Sequence, residues 1–240
     1  MSQPSTHSHL SDSQKSQIKT KWNQAFKIAS HMTSSEALND GTFTHHGTKE
    51  EIDIYYKKTD TTTIIRGDTI CEQIKPDEFL EAFVSLDLSV KHQLDSNSKR
   101  IEVVEKWEDE DGIWKLMYYV ISTGPFVSDR DFVYITKTFK KDNVTFFAST
   151  SCHDVVELPS HVTPQKGAVR ATNVFVCMRM EELENGDLHV TYSTQADPNG
   201  WVPHSIVNAV IYSVPLTLAK NAKFKQRKLR KVPNSPSHHD

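Results

Sequence analysis

The chain lacks the common signatures of catalysis. No GxSxG, HExxH, P-loop or strand-borne GxGxxG occurs in it, so neither a nucleophile elbow, a helical zinc site nor a phosphate-cradling loop is encoded locally. Cysteine is scarce: Cys71, Cys152 and Cys177 stand far apart with no CxxC spacing. An odd, scattered set gives no disulfide framework or zinc knuckle and fits a reducing compartment. No apolar run approaches the roughly 20 residues that span a bilayer. A basic excess is also missing, because 28 Lys and Arg face 31 Asp and Glu, a net charge of -3. That balance argues against a general affinity for nucleic acid. The opening MSQPSTHSHLSDSQKSQ has no basic-then-apolar layout, position 2 is Ser, and SPSHHD is no prenylation box. The expectation is a cytoplasmic, monomeric protein with no cofactor, no metal site and no catalytic residue.

What is present is one domain's worth of alternating patterns. Residues 1–12 and 232–240 are rich in Ser, His and Pro and are expected to be disordered tails flanking a domain over 13–231. A helix starting near Asp12 or Ser13 would carry Ile18, Trp22, Ala25, Phe26 and Ala29 on one face. After a loop around Gly41–Gly47 the period changes to two. Ile52, Ile54 and Tyr56 form one strand and Thr62 to Ile70 a second. Pro76 begins a helix with Phe79, Leu80, Phe83 and Val84 facing inward, and a shorter helical stretch covers Leu86–Leu94. Strands are expected at Arg100–Glu108 and Ile113–Ser122, joined by the turn Asp109-Glu110-Asp111-Gly112, whose acidic cluster reads as a solvated tip. Further strands are expected at Asp131–Phe139, Val144–Ser151, Ala168–Glu182 and Leu188–Gln195. Helix, strands, helices, a long antiparallel run and a final helix make an α+β domain. Its curved sheet needs a helix over one face.

That final helix follows Asp197-Pro198-Asn199-Gly200, a sequence with strong turn chemistry. Pro203 suits a first helical turn. Ile206, Val207, Val210, Ile211, Val214 and Leu218 recur at spacings of three and four, one wide apolar face. Lys220, Lys223, Lys225, Arg227, Lys228, Arg230 and Lys231 then crowd into about three turns at 3.6 residues each. Such a helix can be a core helix with a solvated basic end, or a cover over an apolar interior that also meets an anionic surface.

Three segments together resemble the START family, the lipid-transfer domains related to steroidogenic acute regulatory protein. They are Pro125-Phe126-Val127-Ser128-Asp129-Arg130-Asp131-Phe132-Val133-Tyr134, Gly167-Ala168-Val169-Arg170-Ala171, and Asp197-Pro198-Asn199-Gly200-Trp201-Val202-Pro203 with Val207-Asn208 behind it. The resemblance is clear from about Lys99 to Arg230 and extends more faintly back to about Gln14. It implies a helix-grip fold: a curved antiparallel sheet around a hydrophobic tunnel closed by a long C-terminal helix. One lipid would sit inside, beneath Val207, Val210, Ile211 and Val214, and the lid with the loop His153–Lys166 would open at a membrane. Arg130 either meets the lipid or forms an internal ion pair or strand-start cap with Asp131. Arg170 has the same alternatives, and Gly200 and Pro203 shape the start of the lid. Trp201 either packs beneath the lid or meets lipid at the mouth.

Departures from the family pattern bear on the ligand. Sterol-binding members place an Arg six residues after the Arg of the RDF motif; here that position is Thr136. Phospholipid and ceramide binders tend to carry Arg-x-x-Trp-Asp, against Lys91-His92-Gln93-Leu94-Asp95 here. Lys91 can offer a point charge to a phosphate without the fork of Arg, or form with Asp95 an exposed i,i+4 pair. The resemblance therefore implies non-enzymatic binding and transfer of a phospholipid or sphingolipid rather than a sterol. Lys225, Arg227, Lys228 and Arg230 would dock transiently on an anionic membrane. A lipid-sensing interaction module and a helix-grip enzyme of the cyclase or hydrolase type are the rival readings.

Overall fold

The structure is a computed structural model that describes residues 9–203, 206 and 213–222. Helix α1 (Asp12–Met32) begins where expected, because Ser11 and Gln14 form a reciprocal capping box that satisfies two otherwise unpaired backbone donors. Of the tail expected to be disordered over 1–12, residues 1–8 lie outside the described residues, while Leu10 is 3% exposed and its N–H donates to the Glu105 carboxylate at 3.1 Å. A short α2 (Ser35–Asn39) follows. The segment assigned to a loop around Gly41–Gly47 contains strand β1 (Thr44–Lys49). Alternation could not reveal it, since this edge strand buries neither face and is bulged between His45 and Gly47.

Strands β2 (Ile52–Lys58) and β3 (Thr63–Cys71), helices α3 (Pro76–Phe83) and α4 (Leu88–Leu94), and strands β4 (Ser98–Asp109), β5 (Gly112–Ile121), β6 (Arg130–Lys141) and β7 (Val144–Ser151) come next. The single strand expected over Ala168–Glu182 is divided. β8 (Val169–Arg170) pairs in parallel with the start of β6, and only after Ala171 does β9 (Thr172–Glu182) join β7. With β10 (Leu188–Asp197) the sheet runs β1-β2-β3-β10-β9-β7-β6-β5-β4. All pairs along this path are antiparallel.

Strand alternation separates the two faces of this sheet. On β5, Trp114, Leu116, Tyr118 and Val120 are buried in one cluster with Ile18, Trp22 and Ala29 of α1. Trp22 stacks on Phe26 at 5.1 Å and meets Trp114 edge-on at 5.2 Å, while its indole N–H donates to the Ala148 carbonyl at 3.1 Å. Lys137 is buried on this face with its amine 4.6 Å from the Trp114 ring centre. The acidic β4–β5 turn is tied to the same helix: Lys19 pairs with Asp109 at 2.8 Å and Asp111 at 3.0 Å. It is more than a solvated tip.

The opposite face is filled at one end only. Phe79 and Leu80 of α3 pack there with Met178, Met180, Leu188 and Val190, joined by Leu218 and Ala219. Residues 216–222 are helical, and Asn221 donates to the Phe79 carbonyl at 2.6 Å. Gly67 allows this C-terminal segment to cross the sheet: a Cβ there would lie 2.8 Å from the Pro215 Cβ and 3.2 Å from Ile52 Cγ2. Gly67→Ala is therefore expected to cost about 1–3 kcal/mol by overpacking. The change is read as a lowered denaturation midpoint and faster proteolysis after residue 200. An unchanged midpoint would mean that the segment does not rest on β3.

Candidate ligand cavity

The unfilled part of the sheet's inner face is a cavity of about 940 Å³, at the upper end of the usual range for ligand sites. Its floor is the alternate set of strand residues: Met117 and Tyr119 from β5, Phe132 and Tyr134 from β6, Val176 from β9 and Tyr192 from β10. Phe83, Leu86 and Leu94 form the wall on the α3–α4 side, and Val202, Ile206, Val214 and Thr217 line the C-terminal side. Of the residues expected to form the lid face, Val214 lines the cavity, and Val207, Val210 and Ile211 lie outside the described residues. So do Lys225, Arg227, Lys228 and Arg230.

Lys91 and Asp95 both line the cavity, but not as an i,i+4 pair on a helix face. Helix α4 ends at Leu94, and Asp95 adopts an extended backbone at its C-cap, where its carboxylate accepts from the Asn97 N–H at 2.9 Å. The Lys91 amine donates to the Phe83 carbonyl and sits 5.3 Å from the Phe83 ring centre. Burial pushes its pKa down to about 8, only partly offset by the charge of Asp95. Nearby, Ser98 Oγ and the Tyr119 hydroxyl share a hydrogen bond of 2.6 Å.

Arg130 borders the cavity and is 2% exposed, yet it pairs neither with Asp131 nor with any other carboxylate among the described residues. Its guanidinium donates to the carbonyls of Ser128, of Pro198 at 2.6 Å, of Asn199 at 2.9 Å and of Trp201 at 3.2 Å. It therefore clamps the turn that leads to the lid. Left-handed backbone at Asn199 and Gly200 shapes that turn, and Asn199 closes it by donating to the Arg170 carbonyl at 2.9 Å. The partner of Asp131 is Arg170, whose guanidinium donates at 2.7 Å and 3.0 Å, with the Tyr118 hydroxyl donating at 2.9 Å. Tyr118 in turn accepts the Gln165 N–H at 2.6 Å, which anchors the loop before β8. Trp201 is 75% exposed and does not line the cavity, whereas Val202 does.

Other lining groups escaped the sequence reading. Lys106 and Lys115 line the cavity with Thr136, whose Oγ1 is buried without a hydrogen-bond partner among the described residues. Lys115 carries a readable signal, since it is in phase with Met117 and Tyr119. Lys106 does not, because a bulge between Val103 and Glu105 shifts the phase of β4. The three cysteines are free and buried, with burial pushing each thiol up to about 12. Among the described residues no cluster of three or more His, Cys, Asp or Glu side chains is placed to hold a metal. Among them, too, no helix is long and apolar enough to cross a membrane.

A curved antiparallel sheet, packed by a helix outside and hollow inside, with a clamped turn leading to a C-terminal cover, defines a helix-grip ligand-binding fold. The START domain family model matches residues 48–230, and the chain belongs to that family. Human StAR-related lipid transfer protein 5 superposes with a TM-score of 0.71 at 15% identity, covering 91% of this chain and 100% of that one. Human STARD10 gives a TM-score of 0.67 at 16% identity over 88% and 84%. Sheep (Ovis aries) mitochondrial steroidogenic acute regulatory protein is 21% identical over 175 residues, which are 66% of this chain and 60% of the relative's own length.

The position of Lys91 has a measurable consequence. A lysine with a lowered folded pKa binds fewer protons than in the unfolded chain between about pH 8 and the ordinary value near 10.4, so its share of stability rises with pH across that window. Lys91→Met should remove this rise. The check is the difference in denaturation midpoint between wild type and variant from pH 7.5 to 10.5, and parallel curves would contradict the burial of the amine.

Proposed function

We propose that the protein binds one lipid in the cavity and carries it between membranes as a monomer, doing no chemistry on it. The preferred cargo is a phospholipid or sphingolipid rather than a sterol. The observation that carries the reading is the cavity of about 940 Å³ with an aromatic and aliphatic floor and a cover made from the C-terminal segment. Acyl chains entering it leave water at a gain of roughly 25 cal/mol per Å² of apolar area, which offsets the loss of their bilayer surroundings. Lys91 and Asp95 meet the polar part of the headgroup. Thr136 supports the preference against sterols, since the position offers a lone hydroxyl where the family's sterol binders place an Arg.

The barrier to exchange then lies in moving the cover, and the Arg130 clamp defines the fixed end about which it moves. Lys225, Arg227, Lys228 and Arg230 supply attraction to an anionic bilayer of about 1 kcal/mol each near the surface, which gives reversible docking of a cytoplasmic carrier. The enzyme alternative needs a nucleophile, base and orienting group in a row. Among the described cavity residues, Lys91 instead holds a backbone carbonyl and Ser98 a tyrosine hydroxyl.

Transfer of labelled phosphatidylcholine, ceramide and cholesterol between two vesicle populations tests the reading. Cholesterol should compete less well than either of the other two, and preferential cholesterol retention would overturn the ligand class. Binding without transfer would favour a sensing module over a carrier. Replacing Lys225, Arg227, Lys228 and Arg230 with Gln should slow transfer from anionic vesicles more than from neutral ones, and high salt should erase that difference. Equal rates from both kinds of vesicle at low salt would remove the docking role.

A further inference from the structure

Lys91 lines the cavity, and its amine stands against the α3–α4 wall, where it donates to the Phe83 carbonyl 5.3 Å from the Phe83 ring centre. That ring meets Phe147 at 5.2 Å and Tyr192 at 6.3 Å, and all three aromatic residues line the cavity. Among the described residues no carboxylate forms an ion pair with Lys91, whereas Lys19, Lys21, Lys75 and Lys99 each have one. Asp95 acts on it through charge alone, its carboxylate accepting from the Asn97 N–H. Tyr119 on β5 and Tyr192 on β10 face the same space, and burial raises both hydroxyls above the usual phenol range, so they stay neutral. Burial without a counter-ion disfavours an ammonium, which is why Lys91 falls to about 8. At pH 7 about a tenth of it is neutral, against about one part in 2,500 for an ordinary lysine near 10.4. A desolvated, neutral lysine amine is a nucleophile toward carbonyl carbon. The bond to Phe83 occupies one N–H and leaves the lone pair of that neutral amine unengaged.

We propose that Lys91 captures a long-chain aldehyde inside the cavity as a reversible imine. The amine lone pair adds to the aldehyde carbon, so that a C–N bond forms and the C=O bond becomes single. The oxygen then leaves as water with both amine protons, and C–N becomes C=N. No oxidant, reductant or second substrate enters, and water reverses the step. An ester would instead expel an alcohol and leave a permanent amide, which would end the protein's use as a carrier. The chain of the aldehyde lies along the apolar floor at Phe132, Tyr134 and Val176. Capture is stoichiometric, one aldehyde per chain, and involves no turnover. It goes beyond the carrier reading and rests only on that reading's cavity accepting an acyl chain, not on the preference for a phospholipid or sphingolipid.

The test incubates the full chain with hexadecanal, fixes imines with sodium borohydride as stable secondary amines, and maps them by peptide mass spectrometry. At pH 7 the adduct at Lys91 should exceed that at any other lysine by about tenfold or more, following its larger neutral fraction. Excess hexadecanol, which has the same chain and no aldehyde, should suppress it. Labelling at Lys91 should rise between pH 6 and 9 with a midpoint of about 8. Lys91→Met should lose the dominant adduct in the intact mass while still unfolding in one cooperative transition. Without borohydride, gel filtration should return the wild type to its unmodified mass. Labelling spread evenly over the lysines, a Lys91 midpoint near the ordinary 10.4, or an adduct that survives gel filtration would overturn reversible capture and leave the carrier reading standing. Labelling of Lys91 that hexadecanol does not suppress would overturn capture inside the cavity. Failure of the wild type to bind hexadecanol, measured separately by calorimetry, overturns the lipid cavity as well.

Discussion

Arg130 and Asp131 begin β6 back to back, and strand alternation sends them to opposite faces of the sheet. Arg130 turns toward the cavity and gathers the carbonyls of the 198–201 turn. Asp131 turns outward and holds Arg170 and Tyr118, and through Tyr118 the backbone at Gln165. One dipeptide thus ties together β5, the loop before β8 and the chain leading to the cover. Both charges are buried and hydrogen-bonded, so removing Asp131 would leave Arg170 without its carboxylate, and removing Arg130 would leave the carbonyls of the 198–201 turn without their donor. The pairing is specific in direction: the Arg130 guanidinium, with several donors in a fixed fork, suits a cluster of carbonyls in a way that a lysine would not.

The cavity follows from uneven filling of the inner face. At the α3 end, Phe79, Leu80, Leu218 and the two methionines Met178 and Met180 close the space. At the β4–β5 end the floor carries side chains with nothing packed on them, and polar groups appear there in a pattern that a solid core would not tolerate. A buried polar group needs a partner, and the Thr136 hydroxyl has none among the described residues. The outer face carries a comparable group, the Trp107 indole N–H, which is buried without a partner among the described residues. Its aromatic cluster around Trp22 is closed on every side by α1, Trp114, Phe139 and the Lys137 amine.

Much of the fold was legible because the strands bury one face and helix α1 buries one stripe, so that period two and period 3.6 are both clean. β1 was illegible for the converse reason, being an edge strand with no buried face and a bulge at its centre. The division of β8 from β9 was also hidden. It depends on Arg170 reaching Asp131, a long-range contact that no local pattern encodes. At the site, Val214 and the Asp197–Gly200 turn could be read from local chemistry. The true partners of Arg130 and Asp131 could not, because adjacency in sequence placed them together while the pleat separated them. Lys106 was concealed by the bulge that changes the phase of β4.

The pleat of β5 has one further consequence. Trp114, Leu116, Tyr118 and Val120 belong to the outer-face cluster that includes α1, and Ile113, Lys115, Met117, Tyr119 and Ile121 line the cavity. The two sets are interleaved letter by letter yet subject to separate demands, one for folding and one for cargo. A lineage that changed its ligand could rewrite every second letter of this strand and leave the others untouched. In this stretch, the history of the scaffold and the history of its guest would be written on alternate residues.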